Sequence, residues 1–224
     1  MNLILGYGLL GKELVKQTNW DYLTYEKDGI DANNFKTFIE PLSKADTIIN
    51  CIGYTKTYDE ERENHWNVNY KFVADLVDYC TANNKKLVHV STDYVYANST
   101  DDNNEFDIPV HQETWYAYCK LLADGYVQLR ATNYLMFRCS FKPKPFPHNL
   151  AYSNVLGNFD YVDVVAKQMI DLINEERTGI WNIGTRYKTI YELAIQTKID
   201  IKEITPLTPL IPSISMCLRK FQAR

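Results

Sequence analysis

The sequence predicts an α/β chain, a doubly wound parallel sheet with helices on both faces, followed by a small C-terminal lobe. Three observations predict it. Strand-like and helix-like segments alternate through most of the chain up to Arg138. A glycine-rich turn, Gly6-Tyr7-Gly8-Leu9-Leu10-Gly11, joins the first apolar run to the first helical segment. The run Leu87-Val88-His89-Val90 is almost continuously apolar, as a strand covered on both faces should be.

Taken in order, Leu3-Ile4-Leu5 is the first strand, and residues Leu9 to Gln17 form the first helix. Tyr22-Leu23-Thr24-Tyr25 reads as a second strand ending in Glu26. Thr47 to Ile52 is a third, running into Gly53. From Glu60 to Ala82, apolar residues at Trp66, Val68, Phe72, Val73, Leu76, Val77 and Cys80 follow a helical period. Leu87 to Ser91 is the fourth strand, followed by a polar loop from Asn98 to Asn104, Pro109 and a helix carrying Tyr116 and Lys120. Tyr134 to Arg138 is the fifth strand, and Gly179 to Gly184 a later one. Crossovers in such a sheet are right-handed, and ligands collect at the carboxyl ends of the strands. Gly6, Asn50, Thr92 and Arg138 all fall near such ends.

The clearest break is Lys142-Pro143-Lys144-Pro145-Phe146-Pro147-His148, because prolines this dense cannot sit inside a helix or a central strand. The stretch is either a surface connector or a stiff loop over a ligand. A second proline-containing stretch, Pro206 to Pro212, leads to the basic tail Leu218-Arg219-Lys220-Phe221. The expected division is a nucleotide-binding domain over 1–140 and a smaller lobe over 141–224, with a segment near 160–195 returning to the core.

Composition narrows the function. The chain has 224 residues, 46% hydrophobic and 23% charged, an ordinary globular balance. A net charge of −4 speaks against nucleic acid, whose partners are basic. No apolar run reaches the ~18 residues of a membrane span. The opening Met1-Asn2-Leu3-Ile4 enters a strand directly, without the pattern of a secretory leader. The five cysteines form no Cys-x-x-Cys pair and read as reduced thiols in a cytoplasmic protein. The four histidines are scattered, so no metal site is expected, and His89 reads as a core residue.

The chemistry is carried by Tyr116-Ala117-Tyr118-Cys119-Lys120, 24 residues after Thr92. Positions i and i+4 share a helix face, so Tyr116 and Lys120 point into one space. A phenol keeps its proton to pH ~10, and a neighbouring ammonium should lower that value. Tyr116 is then a general acid for a carbonyl oxygen, with the Thr92 hydroxyl as a second donor. The glycines Gly6, Gly8 and Gly11 suit a pyrophosphate at a helix N-terminus, and Glu26, 20 residues after Gly6, suits ribose hydroxyls. Neighbouring Lys27 suits the extra phosphate of NADPH instead, so either NADPH or NADH is expected.

These residues resemble the extended short-chain dehydrogenase/reductase superfamily, and within it the dTDP-4-dehydrorhamnose reductase branch. The likeness runs through the glycine loop, Asp28-Gly29-Ile30-Asp31, Ile49 to Thr55, Val68-Asn69, Ser91 to Tyr96, Tyr116 to Lys120, Arg138, and Gly179 to Leu193. It implies a Rossmann-type fold and a nicotinamide cofactor held by Gly6, Gly8, Leu9, Leu10, Gly11, Glu26, Lys27 and Asp31. Asn50, Cys51, Ile52, Gly53, Asn69, Ser91, Tyr116 and Lys120 complete that implied cofactor set. It also implies Thr92, Tyr116 and Lys120 as catalytic residues and a nucleotide-sugar substrate near Tyr54, Asp93 and Tyr94. Arg138, Lys142, Lys144, Phe146 and Asn149 are the further substrate candidates, with Arg138 alternatively balancing a nearby carboxylate. Nucleotide-sugar dehydratases similar to this chain place Asp-Glu after the threonine, whereas here Asp93-Tyr94 follows, and Tyr94 is a poor base near neutral pH. Ala117 and Cys119 replace the family's usual Gly and Ser, and the segment after Phe141 reads as shortened.

The expected activity is therefore NAD(P)H-dependent reduction of a 4-keto-deoxysugar nucleotide. A C4 epimerase uses the same residues but returns the hydride, and a non-catalytic NAD(P)-binding regulatory subunit would need none of the triad. A homodimer stays open, because the family's acidic residues for metal-linked dimerisation find no counterpart here.

Overall fold

The computed structural model describes residues 1–99, 102–107, 109–110 and 114–224. Thr100 and Asp101 of the polar loop, and His111, lie outside the described residues. In chain order the strands are β1 (Asn2–Leu5), β2 (Asp21–Leu23), β3 (Thr47–Asn50), β4 (Lys86–Val90), β5 (Tyr134–Arg138), β6 (Phe141–Lys142), β7 (Leu150–Tyr152), β8 (Leu156–Gly157), β9 (Asp160–Tyr161), β10 (Gly179–Asn182), β11 (Lys188–Thr189) and β12 (Lys202–Ile204). Six of them form one sheet in the order β10-β5-β4-β3-β1-β2, every pair parallel. The chain leaves β1 towards β2 and then returns to β3 on the other side, so strand order reverses between β1 and β3. That reversal opens a crevice at the carboxyl ends of the two strands, the place where such sheets bind ligands.

Both faces of the sheet are dry. The row Ile4–Ile49–Val88–Leu135 runs across four strands in register. It packs against Leu10 and Leu14 of the helix Leu9–Thr18 and against Val165, Ala166 and Met169 of the helix Val162–Asn174. The alternate residues Leu3, Leu5, Ile48, Leu87 and Met136 face the helices Phe72–Ala82 and Trp115–Arg130. Successive side chains of a strand point to opposite faces, so helices on both sides demand the apolar runs seen in the sequence. A smaller cluster, including Phe146, Val155, Phe159, Tyr161 and Ile190, is gathered by the short pairs β6·β9, β8·β11 and β7·β12. Among the described residues no helix is long and apolar enough to cross a membrane.

Two local features differ from the sequence expectation. Strand β2 ends at Leu23, and Tyr25–Asp28 is a helical turn. Thr24 Oγ1 accepts from Lys27 N at 3.0 Å while Asp28 Oδ2 accepts from Thr24 N at 2.9 Å, and this reciprocal cap outweighs the β propensity of Tyr25. The long helix begins at Arg62 and passes through a π-helical segment, His65–Lys71, before Phe72. Single π turns are rare and tend to mark functional sites.

Candidate active site

The glycine turn forms as its spacing requires. Gly6 has φ +91°, outside the comfortable range of L side chains. A Cβ on Gly11 would fall 2.1 Å from the Gly6 carbonyl oxygen, so close helix–strand packing needs glycine there. A Cβ on Gly8 would meet no atom within 4 Å and would project into open space. Gly8 is also the N-cap of the helix Leu9–Thr18 and supplies no side-chain cap, leaving the first-turn amides uncapped at the cleft. Open space against uncapped helix amides fits a dinucleotide pyrophosphate.

Across the crevice, Thr92 follows β4 in extended geometry and caps the turn Asp93–Tyr96, its Oγ1 accepting from Tyr94 N at 3.2 Å and donating to Asp93 Oδ1 at 3.3 Å. Tyr116 is the second residue of the helix Trp115–Arg130, whose N-cap Thr114 accepts from Ala117 N at 3.1 Å. One turn on, Lys120 is buried and its Nζ donates to the Val90 carbonyl at 2.7 Å. A further turn on is Asp124, fully buried, whose Oδ2 accepts from Arg138 Nε at 3.1 Å. Tyr116, Lys120 and Asp124 thus form one stripe at i, i+4 and i+8.

Gly8, Leu9, Leu10, Thr92, Tyr116 and Lys120 line one cavity of about 440 Å³. Cys51, Ile52, Gly53, Asn69 and Ser91 line its floor and the wall after β3 and β4, and Asp93, Tyr94 and Lys142 its far end. The amide of Asn69 pairs with the Tyr54 backbone, accepting from its N at 2.8 Å and donating to its O at 2.9 Å, which pins the Gly53–Tyr54 turn. Asn50 is buried behind the wall, with Oδ1 accepting from Ile52 N at 3.0 Å.

Burial dominates the protonation behaviour here. It pushes the Tyr116 phenol above its ordinary value, while the facing Thr92 hydroxyl pulls the other way. The expectation that Lys120 depresses Tyr116 is corrected, because the Lys120 ammonium is turned to the Val90 carbonyl and its main charge partner is Asp124. Tyr116 is therefore held as the protonated phenol, the form a proton donor needs. Burial brings Lys120 down to about 8, against the opposing charge of Asp124. Burial raises Asp93 to about 6, and the charge of Lys142 opposes that shift. Cys51 goes up to about 12 by burial, so this cleft thiol stays protonated near neutral pH.

The remaining expected residues lie elsewhere. Glu26 and Lys27 are exposed on the turn after β2, with Lys27 Nζ 4.7 Å from the Tyr22 ring centroid, and Tyr22 stacks on Tyr7 at 4.2 Å. The Asp31 carboxylate accepts from Asn33 N at 2.9 Å. Tyr54 points its hydroxyl to Asp59 Oδ2 at 2.8 Å, and Thr55 and Thr57 line the cleft in its place. Arg138 is 1% exposed, its guanidinium bound by Asp124 and Tyr96, so it balances a carboxylate in the core rather than facing the cleft. Lys144 pairs with Asp163, Phe146 is a core residue 4% exposed, and Asn149 accepts from Lys198 Nζ at 2.6 Å. These three stand outside the cleft because β6 pairs with β9 and turns the chain after Lys142 onto the smaller cluster. Sequence reasoning missed Asp124, although the i+4 spacing beyond Lys120 carried the signal. It also missed His65, buried against Tyr54 with its ring 6.2 Å from that of Tyr116.

A reversal-point crevice, with a glycine turn and a Thr–Tyr–Lys set lining one cleft, defines a Rossmann-type α/β protein. The chain belongs to the RmlD substrate binding domain family, whose sequence model matches residues 2–197. No curated protein matches the sequence. Among solved structures, it is similar to a dTDP-4-dehydrorhamnose reductase from Bacillus anthracis in complex with NADP, with TM-score 0.84 and 20% identity over 99% of this chain and 90% of that one. A hypothetical dTDP-4-dehydrorhamnose reductase from Sulfolobus tokodaii superimposes with TM-score 0.81 and 21% identity, over 100% of this chain and 94% of the other. A UDP-glucuronic acid 4-epimerase from Bacillus cereus in complex with NAD gives TM-score 0.69 and 12% identity, over 86% and 80% of the two chains.

Proposed function

We propose that this protein reduces the 4-keto group of a deoxysugar nucleotide with NADPH or NADH. The observation that carries the reading is the single cavity lined by Thr92, Tyr116 and Lys120 on one wall and by Gly8, Leu9 and Leu10 on the other. Family membership supports it, as do the relatives named above, one with NADP and one with NAD. Gly8, Leu9 and Leu10 would hold the pyrophosphate and Ile52, Gly53 and Lys120 the nicotinamide end. A nicotinamide bound there supplies the hydride.

The chain's own groups do the rest. Tyr116 delivers its phenolic proton to the substrate oxygen as negative charge develops on it. Thr92 Oγ1 lies beside the phenol, and its one proton, given to Asp93 Oδ1 in the structure, turns to the same substrate oxygen as a second hydrogen bond. Lys120, fixed on the Val90 carbonyl, places its positive charge in the same cleft at the nicotinamide end. Tyr94 and Asp93 close the far end, and neither is the Glu that dehydration would ask for at position 94. The test is to incubate the protein with NADPH and a panel of 4-keto-deoxysugar nucleotides. Stoichiometric loss of the reduced nicotinamide with formation of the 4-hydroxy sugar is expected. Interconversion of 4-hydroxy sugar nucleotides epimeric at C4, with no net change in nicotinamide, would make the protein an epimerase, and no conversion across the 4-keto panel would overturn the reading.

A further inference from the structure

Among the described residues the buried cations around the cleft, Lys120, Arg138 and Lys188, have their side-chain hydrogen bonds accounted for, and the half-buried Lys142 stands beside them. Lys120 donates to Val90 O, Arg138 to Asp124 and Tyr96, and Lys188 to Asp160 and Thr185. Lys142 does not follow suit. Its backbone is fixed by β6, where it sits opposite Tyr161 in register. Its Nζ lies 5.9 Å from the Phe159 ring centroid and makes no hydrogen bond or ion pair among the described residues. Asp93 is the acid whose field it feels, without closing to ion-pair distance.

The surroundings leave the ammonium half-buried at the cleft, where a ligand oxygen can reach it. Lys142 lines the main cavity together with Thr92 and Tyr116, and it also lines an adjoining cavity of about 20 Å³. That smaller space is walled by Val155, Phe159, Ile190, Ile211 and Ile214. An ammonium has three donors, and leaving them unmade beside an apolar wall is unfavourable. Burial accordingly pushes Lys142 down, with Asp93 the charge that opposes this. Asp93 is itself occupied by Thr92 Oγ1 and faces Tyr94, Tyr116 and Cys139, none of which supplies a cation.

We propose that the Lys142 ammonium is the anion-reading group of the cleft, receiving a phosphate or carboxylate oxygen of the substrate in competition with the Asp93 carboxylate. The inference rests on the cleft being a sugar-nucleotide site, and it narrows the substrate to one carrying an anionic oxygen within reach of the Thr92–Tyr116 end. It also assigns the task expected of Arg138 and Lys144 to a different cation. Asp93 is the carboxylate whose field Lys142 feels, and that negative charge opposes an arriving ligand anion, so the two side chains have opposite effects on binding.

The experiment uses the full chain and calorimetric titration of two probes, thymidine diphosphate for phosphate oxygens and glucuronate for a ring carboxylate. Lys142→Met, with Lys142→Gln as a second variant should the first fold poorly, weakens the recognised probe by about 10- to 100-fold, the loss of a charge-assisted hydrogen bond. Lys142→Arg restores part of it. Asp93→Asn tightens the same probe, a sign that a merely structural role would not produce. Loss confined to thymidine diphosphate identifies a phosphate oxygen as the ligand atom, and loss confined to glucuronate identifies a carboxylate. Equal affinity of wild type and the Lys142 variants for both probes overturns the proposal. So does failure of wild type to bind either at millimolar concentration, or weakening by Asp93→Asn. NADPH titrated alongside separates the two levels. Wild type that binds NADPH while the probes ignore Lys142 refutes this inference alone, whereas wild type that ignores NADPH refutes the reading of the cleft beneath it.

Discussion

A single methyl group separates the binding role of the glycine turn from its structural role. At Gly8 the added Cβ would have no neighbour within 4 Å, so Gly8→Ala leaves the fold intact at a cost of about 1 kcal/mol, because alanine is a poorer helix N-cap than glycine. The same methyl intrudes on the space assigned to the pyrophosphate. Overpacking of that size costs about 1–3 kcal/mol, a rise of roughly five- to 150-fold in the dissociation constant for NADPH. At Gly11 the Cβ would lie 2.1 Å from Gly6 O, and backbone rather than a flexible side chain has to move. Gly11→Ala should therefore lower stability and cofactor affinity together. The assay pairs nucleotide fluorescence titration with denaturant unfolding on both variants. Unchanged NADPH affinity in Gly8→Ala would refute the cofactor assignment. A large loss of stability in Gly8→Ala would refute the claim that its Cβ position is open.

Tyr116→Phe keeps the packing and removes the proton donor, so turnover should fall by about 10²–10⁴-fold in a steady-state assay, with NADPH affinity little changed. Lys120 sits near 8 in the folded protein against 10.5 for the free side chain. A depressed folded value means its stabilising contribution is complete above the free value and is lost as pH falls from about 10.5 through 8. The stability of wild type relative to Lys120→Met should thus increase from pH 8 to 10.5 by an amount on the order of 3 kcal/mol, read by denaturant unfolding across that range. Arg138→Met strands the buried Asp124 carboxylate and should cost about 3–5 kcal/mol of stability. Its substrate Michaelis constant should stay near wild type under conditions where it is folded, because the guanidinium faces the core.

Much of this protein is legible in one dimension because its signals are local. The glycine spacing, the apolar runs of β1, β3, β4 and β5, and the i, i+4 spacing of Tyr116 and Lys120 follow from strand and helix periods that the chain carries by itself. The order of the strands and the position of the cleft follow from those periods through the connection rules of parallel sheets. Charged side chains are a different matter, since their roles depend on which oxygen lies opposite them. Arg138 and Lys142 each end a strand and look alike in sequence as candidate phosphate grips. Only the pairing of Arg138 with Asp124, a residue one helix away, took the first into the core. Only the register of β6 on β9 set the second at the cleft with its donors unused. The sense of the Tyr116 shift was likewise a tertiary outcome. Sequence spacing puts an ammonium on its face of the helix, but the Val90 carbonyl claims that ammonium, and the dry surroundings then govern the phenol. Periodicity is a property of neighbours along the chain, while the partners of a buried charge and its exclusion from water are decided where distant segments meet.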